Sequence, residues 1–254
     1  MANRLSIYGN ILNIIEKKGA AFFVLIDPDR LKEKDYLDLA DYCQNDGVDA
    51  VLVGSSILIN HTFKKVIKDL KRILEIPVII FPGNTMQISE DADAILFLSL
   101  ISGRNPSHLF GDHVLAAPEI KAVGLEPIST GYMLIESGKT SSVEFMSNTK
   151  PIPADKPEIA KAHALAAEYM GMKLIYLEAG SGAENPVPDL FIKELKSYIT
   201  LPIVVGGGIK EPETARKKVE SGASIVVIGS LFEKLGGNKL IKEFAQAIHY
   251  KREK

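Results

Sequence analysis

The chain contains 254 residues, of which 46% are hydrophobic and 24% are charged, and its formal net charge is −2. This length fits a single α/β barrel, which typically takes roughly 250 residues, and it allows a sizeable core. The balanced charge argues against nucleic acid as the main partner, so any anion site must be local.

Cysteine content and apolar patterning limit the cellular setting. The single cysteine, Cys43, cannot form an internal disulfide and is expected to pack as a small core hydrophobe. The N-terminus lacks the charged-then-apolar pattern of a signal peptide, and no apolar run approaches the roughly 18 residues that suggest a membrane span. The sequence therefore predicts a cytoplasmic protein with no membrane span.

The first half of the chain alternates helix and strand patterns. Isoleucines at helical spacing predict a first helix that ends at Gly19, where a left-handed cap is expected. Strands are predicted at 21–26, 50–54, 78–81 and 94–98, and helices at 34–45 and 62–74. The third and fourth strands are too close for a helical crossover, which usually needs about 10–12 residues. The third barrel helix is therefore expected to be missing or vestigial, leaving a gap in the outer ring.

The second half continues the alternation. A helix is predicted at 106–123, and further strands at 127–135 and within 173–182, 202–208 and 224–230. Asp155 and Pro157 predict a helix start, with Ile159, His163, Ala166 and Met170 on one face, where His163 is expected to be a packing residue rather than a ligand. Later helices are predicted from Pro188, at 212–221, briefly after Ser230 and at the end, with inward residues Phe191, Leu195, Tyr198, Ile199, Leu240, Ile241, Phe244 and Ile248.

A long segment, residues 136–155, follows the fifth strand. Its serine, threonine and proline content is compatible with a solvated tether. Phe145, Met146 and Ile152 are apolar residues that a free linker would not need. Because loops of this length and position commonly gate barrel sites, we expect a lid over the end of the barrel where the strands finish.

Eight strand patterns alternating with helices, without a domain-breaking linker, predict one domain over residues 1–254. We expect an α/β fold of the (β/α)8 TIM-barrel type with an extra N-terminal helix. In this fold the loops after strands seven and eight commonly hold a phosphate through backbone N–H groups. Gly207 and Gly208 lie in one of these loops, and Gly229 and Ser230 in the other, so a phosphate site is predicted there.

Acids and hydroxyls at other strand ends suggest further chemistry. Asp27 and Ser56 follow strands one and two and are hard oxygen ligands of the kind that Mg²⁺ takes. Glu178 ends strand six, where a carboxylate has no packing role, and could take a proton from a substrate hydroxyl. The histidines show no zinc spacing, since His108 and His113 are five residues apart and not on one helical face.

Six motifs of this sequence resemble those of the geranylgeranylglyceryl phosphate synthase family. The resemblance runs from about residue 20 to 235 and is carried by Leu25-Ile-Asp-Pro-Asp-Arg30, Val53-Gly-Ser-Ser56, Ser147-Asn-Thr-Lys-Pro-Ile-Pro153, Tyr176-Leu-Glu-Ala-Gly-Ser-Gly182, Val205-Gly-Gly-Gly-Ile209 and Gly229-Ser230. It implies a magnesium-dependent prenyltransferase that joins sn-glycerol 1-phosphate to a polyprenyl diphosphate, such as geranylgeranyl diphosphate, through an ether bond. Family members usually form dimers or hexamers, so a homo-oligomer is implied.

The resemblance also implies roles for single residues. Asp27 and Ser56 would hold the Mg²⁺, although Gly54-Ser55 replaces the usual pair of glycines and leaves Ser55 and Ser56 as alternatives. Glu178 would be the base, and the Tyr176 ring would stabilise positive charge on the allylic carbon. Glycerol phosphate would be bound by Tyr176, Leu177, Glu178, Ala179, Gly180, Ser181, Gly182, Gly207, Gly208, Gly229 and Ser230. The gap at the missing helix would receive the apolar tail.

Two alternatives remain open from the sequence. A phosphate-binding barrel isomerase or lyase of amino-acid biosynthesis would share the glycines after strands seven and eight but would need neither a diphosphate nor a metal. A non-catalytic barrel that binds a phosphate metabolite and acts through partners would share them too.

Overall fold

The computed structural model describes residues 6–235 and 238–250, and within them eight parallel strands close into a barrel. Each strand pairs with the next along the chain, and the last pairs with the first. The strands are β1 Ala21–Ile26, β2 Ala50–Val53, β3 Val78–Ile80, β4 Ala94–Leu100, β5 Glu126–Leu134, β6 Leu174–Glu178, β7 Ile203–Gly206 and β8 Ile225–Ile228. The predicted TIM barrel is confirmed.

Helices surround the barrel. They are α1 Ile7–Lys18, α2 Glu33–Asn45, α3 Phe63–Ile73, α4 Asp112–Ala122, α5 Ser142–Ser147, α6 Pro157–Tyr169, α7 Asp189–Lys196, α8 Pro212–Ser221, α9 Ser230–Leu235 and α10 Asn238–Ile248. A π-helical turn, Ser107–Gly111, precedes α4. No helix lies between β3 and β4 in this described stretch, so the prediction of a missing third helix is confirmed.

Residues on each strand alternate between the barrel interior and the helix-facing side, because strand side chains have a period of two. Phe23, Leu52, Tyr132, Tyr176 and Val204 belong to the interior cluster. Their sequence neighbours pack into the larger core between strands and helices, which also contains Cys43 as predicted. Burial raises the pKa of the Cys43 thiol well above its usual range, so it stays protonated and packs as an apolar group.

The N-terminal helix closes the bottom of the barrel. Ile11 packs into the interior cluster. The Glu126 carboxylate at the start of β5 accepts hydrogen bonds from the backbone N–H groups of Ile7 at 2.6 Å and Tyr8 at 3.1 Å. A carboxylate at a helix N-terminus satisfies free donors and favours the helix dipole, so α1 is tied across the end of the barrel opposite the glycine-rich loops.

The buried face of α6 differs from the prediction. Ala160, Ala164 and Ala167 are its buried residues, whereas Met170 is 74% exposed. The cause is close packing: a Cβ added at Gly131 on β5 would lie 3.1 Å from the Cβ of Ala167, which leaves no room for larger side chains. Ile159 is also exposed, and His163 is only half-buried, so neither lies on an inward face.

Three smaller expectations at helix ends are also corrected. Pro157 is the first residue of α6, as predicted, but its N-cap is Lys156 rather than Asp155. Tyr198, expected inward, lies past the end of α7 and is exposed, with Lys161 Nζ 4.8 Å from its ring centre. Leu240 is half-buried, whereas Ile241 beside it is fully buried as predicted.

The buried Asp49 carboxylate connects β1, at the bottom of the barrel, to the end of α1 and to the segment after α10. Asp49, 4% exposed, accepts hydrogen bonds from the Phe22 N–H at 2.8 Å, Lys18 Nζ at 2.6 Å and His249 Nε2 at 2.7 Å. Burial alone would raise the pKa of Asp49, but these partners outweigh it and hold that pKa below its usual value.

We therefore expect Asp49→Asn to lower the free energy of unfolding by about 3 kcal/mol at pH 7, because it breaks a buried charged network. A depressed pKa stabilises the fold above the unfolded value near 4 and loses this effect as pH falls through the folded value. Urea denaturation at pH 7 and near pH 3.5 should thus show a smaller mutant effect in acid. Exposed Asp38→Asn is the control, and equal losses in both variants would contradict the assignment.

Candidate active site

Two adjoining cavities open at the C-terminal ends of the strands. The mouth cavity, about 250 Å³, lies over the barrel and is lined by the strand-end loops. The wall groove, about 320 Å³, lies where the third helix is missing, between the β3–β4 connection and α4. Six residues line both cavities, so the two are continuous: Ser55, Ser56, Ile57, Phe81, Tyr132 and Val143.

The glycines predicted to hold a phosphate line the mouth cavity. Gly207 and Gly208 have φ of 85° and 71°, a conformation that L side chains rarely adopt. A Cβ at Gly207 would lie 2.6 Å from Glu178 Oε1. Gly229 and Ser230 follow the neighbouring strand β8 and line the adjacent wall, where α9 begins. Exposed backbone N–H groups at such turns and at a helix start attract anions, so the structure brings together the predicted donors.

Only some residues of the stretch from Tyr176 to Gly182 line the mouth cavity. Tyr176 and Glu178 point into the barrel and line the mouth cavity, as do Ser181 and Gly182 in the following turn. Leu177 and Ala179 pack instead into the outer core, because strand residues alternate in direction. Gly180 does not line the cavity, but its N–H donates to Glu178 Oε1 at 2.5 Å.

Glu178 combines burial with access to the cavity. It is 6% exposed, and this burial raises its pKa to about 7 against the opposing effects of the Gly180 N–H and the nearby Tyr176 hydroxyl. A carboxylate with a pKa near neutrality can accept a proton at physiological pH and return it later. The structure thus gives Glu178 the ionisation expected of a general base.

Three aromatic rings fill the barrel beneath the cavity junction. Phe81 stacks on Tyr176 with ring centres 5.4 Å apart, and Tyr132 meets Tyr176 edge-on at 5.2 Å. The Tyr176 hydroxyl is buried without a hydrogen bond of normal geometry to any described residue. A side chain at Gly206 would collide with that hydroxyl, so Gly206 makes room for the ring.

The Asp27 carboxylate follows β1, which pairs with β8, and it lines the mouth cavity beside the loop of Gly229 and Ser230. Its Oδ2 accepts a hydrogen bond from Ser55 Oγ at 2.9 Å, and its Oδ1 accepts one from the Asp29 N–H at 3.0 Å. Ser56 lines the same cavity. The structure therefore places both serines beside the predicted cation site and brings the Ser55 hydroxyl directly to Asp27.

Two charged residues of the site were not singled out from the sequence. Arg30 forms ion pairs with Asp27 (Nε–Oδ2, 3.1 Å) and with Glu233 on α9 (3.3 Å). Glu233 also accepts a hydrogen bond from the Asp27 N–H at 3.2 Å, and burial raises its pKa despite the neighbouring guanidinium. Arg30 stands within the Asp-Pro-Asp-Arg motif, whereas Glu233 lies in a stretch without a motif and becomes visible only in three dimensions.

The wall groove is mainly apolar. Its lining includes Ile88, Ile95, Phe97, Leu98, Leu100 and Ile120. Polar side chains line it beside α4, where the His113 ring packs edge-on against Phe97 and receives a hydrogen bond from, or gives one to, Ser99. Burial lowers the pKa of His113, which keeps it neutral in this apolar setting. The predicted gap in the barrel wall thus exists and is lined mainly by apolar side chains.

Residues 136–155 form a roof rather than an irregular loop. The segment contains α5, whose start is fixed by reciprocal hydrogen bonds between Ser141 and Glu144. Near the end of the segment Ile152 is buried and bridged to Ile135. Val143 lines both cavities, while Phe145 is 77% exposed. The solvated tether is therefore excluded, and movement of this roof stays a prediction.

Comparison with known proteins gives consistent relatives. Residues 12–248 match the model of the PcrB family. Geranylgeranylglyceryl phosphate synthase of Chitinophaga pinensis is 44% identical over 96% of both chains. The crystal structure of (S)-3-O-geranylgeranylglyceryl phosphate synthase from Thermoplasma acidophilum in complex with sn-glycerol-1-phosphate superimposes with a TM-score of 0.90 at 29% identity, covering 96% of this chain and 99% of that one. The Thermoplasma volcanium enzyme also gives 0.90, at 32% identity over 98% and 100%.

Proposed function

The chain belongs to the PcrB family and is a prenyltransferase, and from this premise we propose that it joins sn-glycerol 1-phosphate to a polyprenyl diphosphate through an ether bond. We propose geranylgeranyl diphosphate as the prenyl donor, following the names of the relatives. The supporting observation is the junction of the two cavities, where an apolar groove meets a phosphate cradle beside a buried carboxylate. An isomerase or lyase would have no use for the groove.

Glycerol phosphate would occupy the mouth cavity beside Glu178. Backbone N–H groups around Gly207, Gly208, Gly229 and Ser230 would bind the phosphate, which offers several acceptor oxygens. Its carbon chain would then extend toward β6, where the Glu178 carboxylate can accept hydrogen bonds from the glycerol hydroxyls. The proton of the attacking hydroxyl passes to Glu178 as the ether bond forms.

The prenyl diphosphate would span both cavities. Its apolar tail fits the wall groove, and its diphosphate would lie near Asp27, with the allylic carbon at the junction. Phe81, Tyr132 and Tyr176 surround this junction and present π-electrons that favour developing positive charge on the carbon. The buried position also excludes water, which would otherwise compete with the glycerol hydroxyl.

We propose Mg²⁺ as the cofactor, held by Asp27 together with Ser55 or Ser56. These hard oxygen donors suit an ion that keeps several water ligands. Within residues 6–235 and 238–250, no three or more His, Cys, Asp or Glu residues form a cluster that could hold a metal ion. Mg²⁺, when bound, would neutralise the diphosphate and make it a better leaving group.

We also propose that the chain forms a homo-oligomer through the outer face of α4. Phe110 on the preceding π-helical turn and Val114 and Leu115 on α4 expose large apolar side chains there. Contiguous exposed apolar surface of this kind commonly marks an interface between subunits. No helix within the described part of the chain has the length and apolar character to cross a bilayer.

The reaction itself is the first test. Purified protein incubated with sn-glycerol 1-phosphate, geranylgeranyl diphosphate and Mg²⁺ should give the ether product by mass spectrometry, and a chelator should abolish its formation. Asp27→Asn should have the effect of the chelator while the affinity for glycerol phosphate is largely kept, because Asp27 is proposed to act on the diphosphate, whereas backbone N–H groups would bind the glycerol phosphate. Product formation that chelators leave unchanged, or an equal loss of glycerol phosphate binding, would contradict the two-site assignment.

Glu178→Gln tests the base. The change keeps the side-chain size but removes basicity, so turnover should fall by roughly 10² to 10⁴. Because the base must be deprotonated, wild-type kcat/KM should rise with pH up to about 7 and then level off, and the variant should lack this rise. The exposed Glu184→Gln is the matched control. Near-normal turnover of Glu178→Gln at saturating substrates would refute the assignment.

Sedimentation velocity tests the oligomer. The wild type should sediment as an assembly at micromolar concentration, and Leu115→Lys should shift it toward the monomer, because a charge would be buried at the interface. Leu190→Lys, at an exposed position on α7, should leave the assembly intact. A wild type that stays monomeric at all concentrations would show that the exposed face of α4 has another use.

A further inference from the structure

The charge of the mouth cavity does not match its proposed contents. Four carboxylates line it, from Asp27, Asp29, Glu178 and Glu233, whereas Arg30 is the one cationic side chain among its described lining residues. Two substrates carrying a phosphate and a diphosphate would add further negative charge. Glycine N–H groups would bind the phosphate, whereas near Asp27 the charged lining side chains are the carboxylates and this guanidinium.

Arg30 is positioned between the two proposed anion sites. Its Nε faces Asp27 Oδ2 at 3.1 Å, and its NH1 donates to Ser181 Oγ at 3.2 Å and to Glu233 Oε2 at 3.3 Å. The side chain is 43% exposed, so incoming ligands can reach it. The guanidinium thus contacts Glu233 through NH1. Its Nε contacts Asp27, the carboxylate proposed to bind the metal.

This arrangement would change if a cation were held by Asp27. The cation would compete with the guanidinium for the carboxylate, and the edge of the guanidinium that contacts Asp27 would become free to face the cavity. A planar guanidinium with two parallel N–H donors matches a phosphate better than a lysine does. Glu233 would still accept the hydrogen bond from Arg30 NH1 and so would fix the orientation of the guanidinium plane.

We propose that Arg30 binds the diphosphate of the prenyl substrate and stabilises the pyrophosphate that leaves. The proposal rests on the proposed function. In the reaction the bond between the allylic carbon and the diphosphate oxygen breaks, and its electron pair departs with pyrophosphate. The bond between the glycerol oxygen and that carbon forms, and the hydroxyl proton passes to Glu178. Arg30 receives the negative charge that develops on the departing oxygens.

A structural tie is the competing explanation, since Arg30 also joins the loops after β1 and β6 to α9. Partly exposed ion pairs of this kind contribute little to stability. The two roles separate in binding experiments, because a tie affects unfolding whereas a diphosphate ligand affects pyrophosphate affinity. Pyrophosphate is therefore the probe, and its binding does not require the reaction to proceed.

Isothermal titration with pyrophosphate and Mg²⁺ tests the proposal. Arg30→Gln should weaken pyrophosphate binding roughly 10- to 100-fold, the range for a charged hydrogen-bonded contact, and change glycerol phosphate affinity less than about threefold. Arg30→Lys should lose less, because it keeps the charge but not the fork, and it serves if Arg30→Gln folds poorly. Arg72→Gln is the control, since Arg72 makes a 3.2 Å ion pair to Asp69 on α3, outside both cavities.

The outcomes are distinct. Unchanged pyrophosphate affinity with a lower melting temperature would show that Arg30 is a structural tie. Loss of glycerol phosphate affinity alone would assign Arg30 to the other anion. Either result overturns the role of Arg30 while wild-type ether formation leaves the proposed function standing. A wild type that binds no pyrophosphate and forms no ether would overturn both.

Discussion

Closure of eight parallel strands into one ring is the constraint on which the site depends. Parallel strands bring all their C-terminal ends to the same rim, and their alternation sends every second side chain inside. Asp27 therefore follows Phe23 and Leu25 along the inward side of β1, and Glu178 follows Tyr176 on β6. Residues about 150 positions apart meet without any local sequence signal, because closure fixes both the level and the direction of their side chains.

Burial then changes the ionisation of Glu178, one of the groups that converge at this rim. Glu178 rests above packed aromatic rings, so its ionised form loses hydration and depends on the N–H of Gly180. The absence of side chains at Gly206 and Gly207 makes room for the Tyr176 ring and for this carboxylate. The glycines of β7 and its loop consequently have two roles. They leave space for Tyr176 and Glu178 inside the barrel, and they expose backbone N–H groups to the mouth cavity.

Features set by periodicity could be predicted from the sequence, whereas features decided by packing distance could not. All eight strands and the absent third helix are indicated by apolar runs and their spacing. The prediction for the face of α6 is wrong because alanines against Gly131 outweigh larger apolar residues that remain exposed. The start of α5 could have been predicted, since Ser141 and Glu144 form a capping box with the usual spacing. The pair of Arg30 with Glu233 could not, because 203 positions separate them.

The gap in the barrel wall divides the lining residues of the two cavities into separate sets. Side chains such as Ile95, Phe97 and Ile120 line only the wall groove, whereas Glu178, Gly207 and Gly229 line only the mouth cavity. Substitutions in the first set would change the shape of the wall groove without altering these residues of the mouth cavity. A barrel open on one side is therefore modular, since under the proposed function the groove for the apolar tail can change in length or width while the residues around Glu178 stay the same.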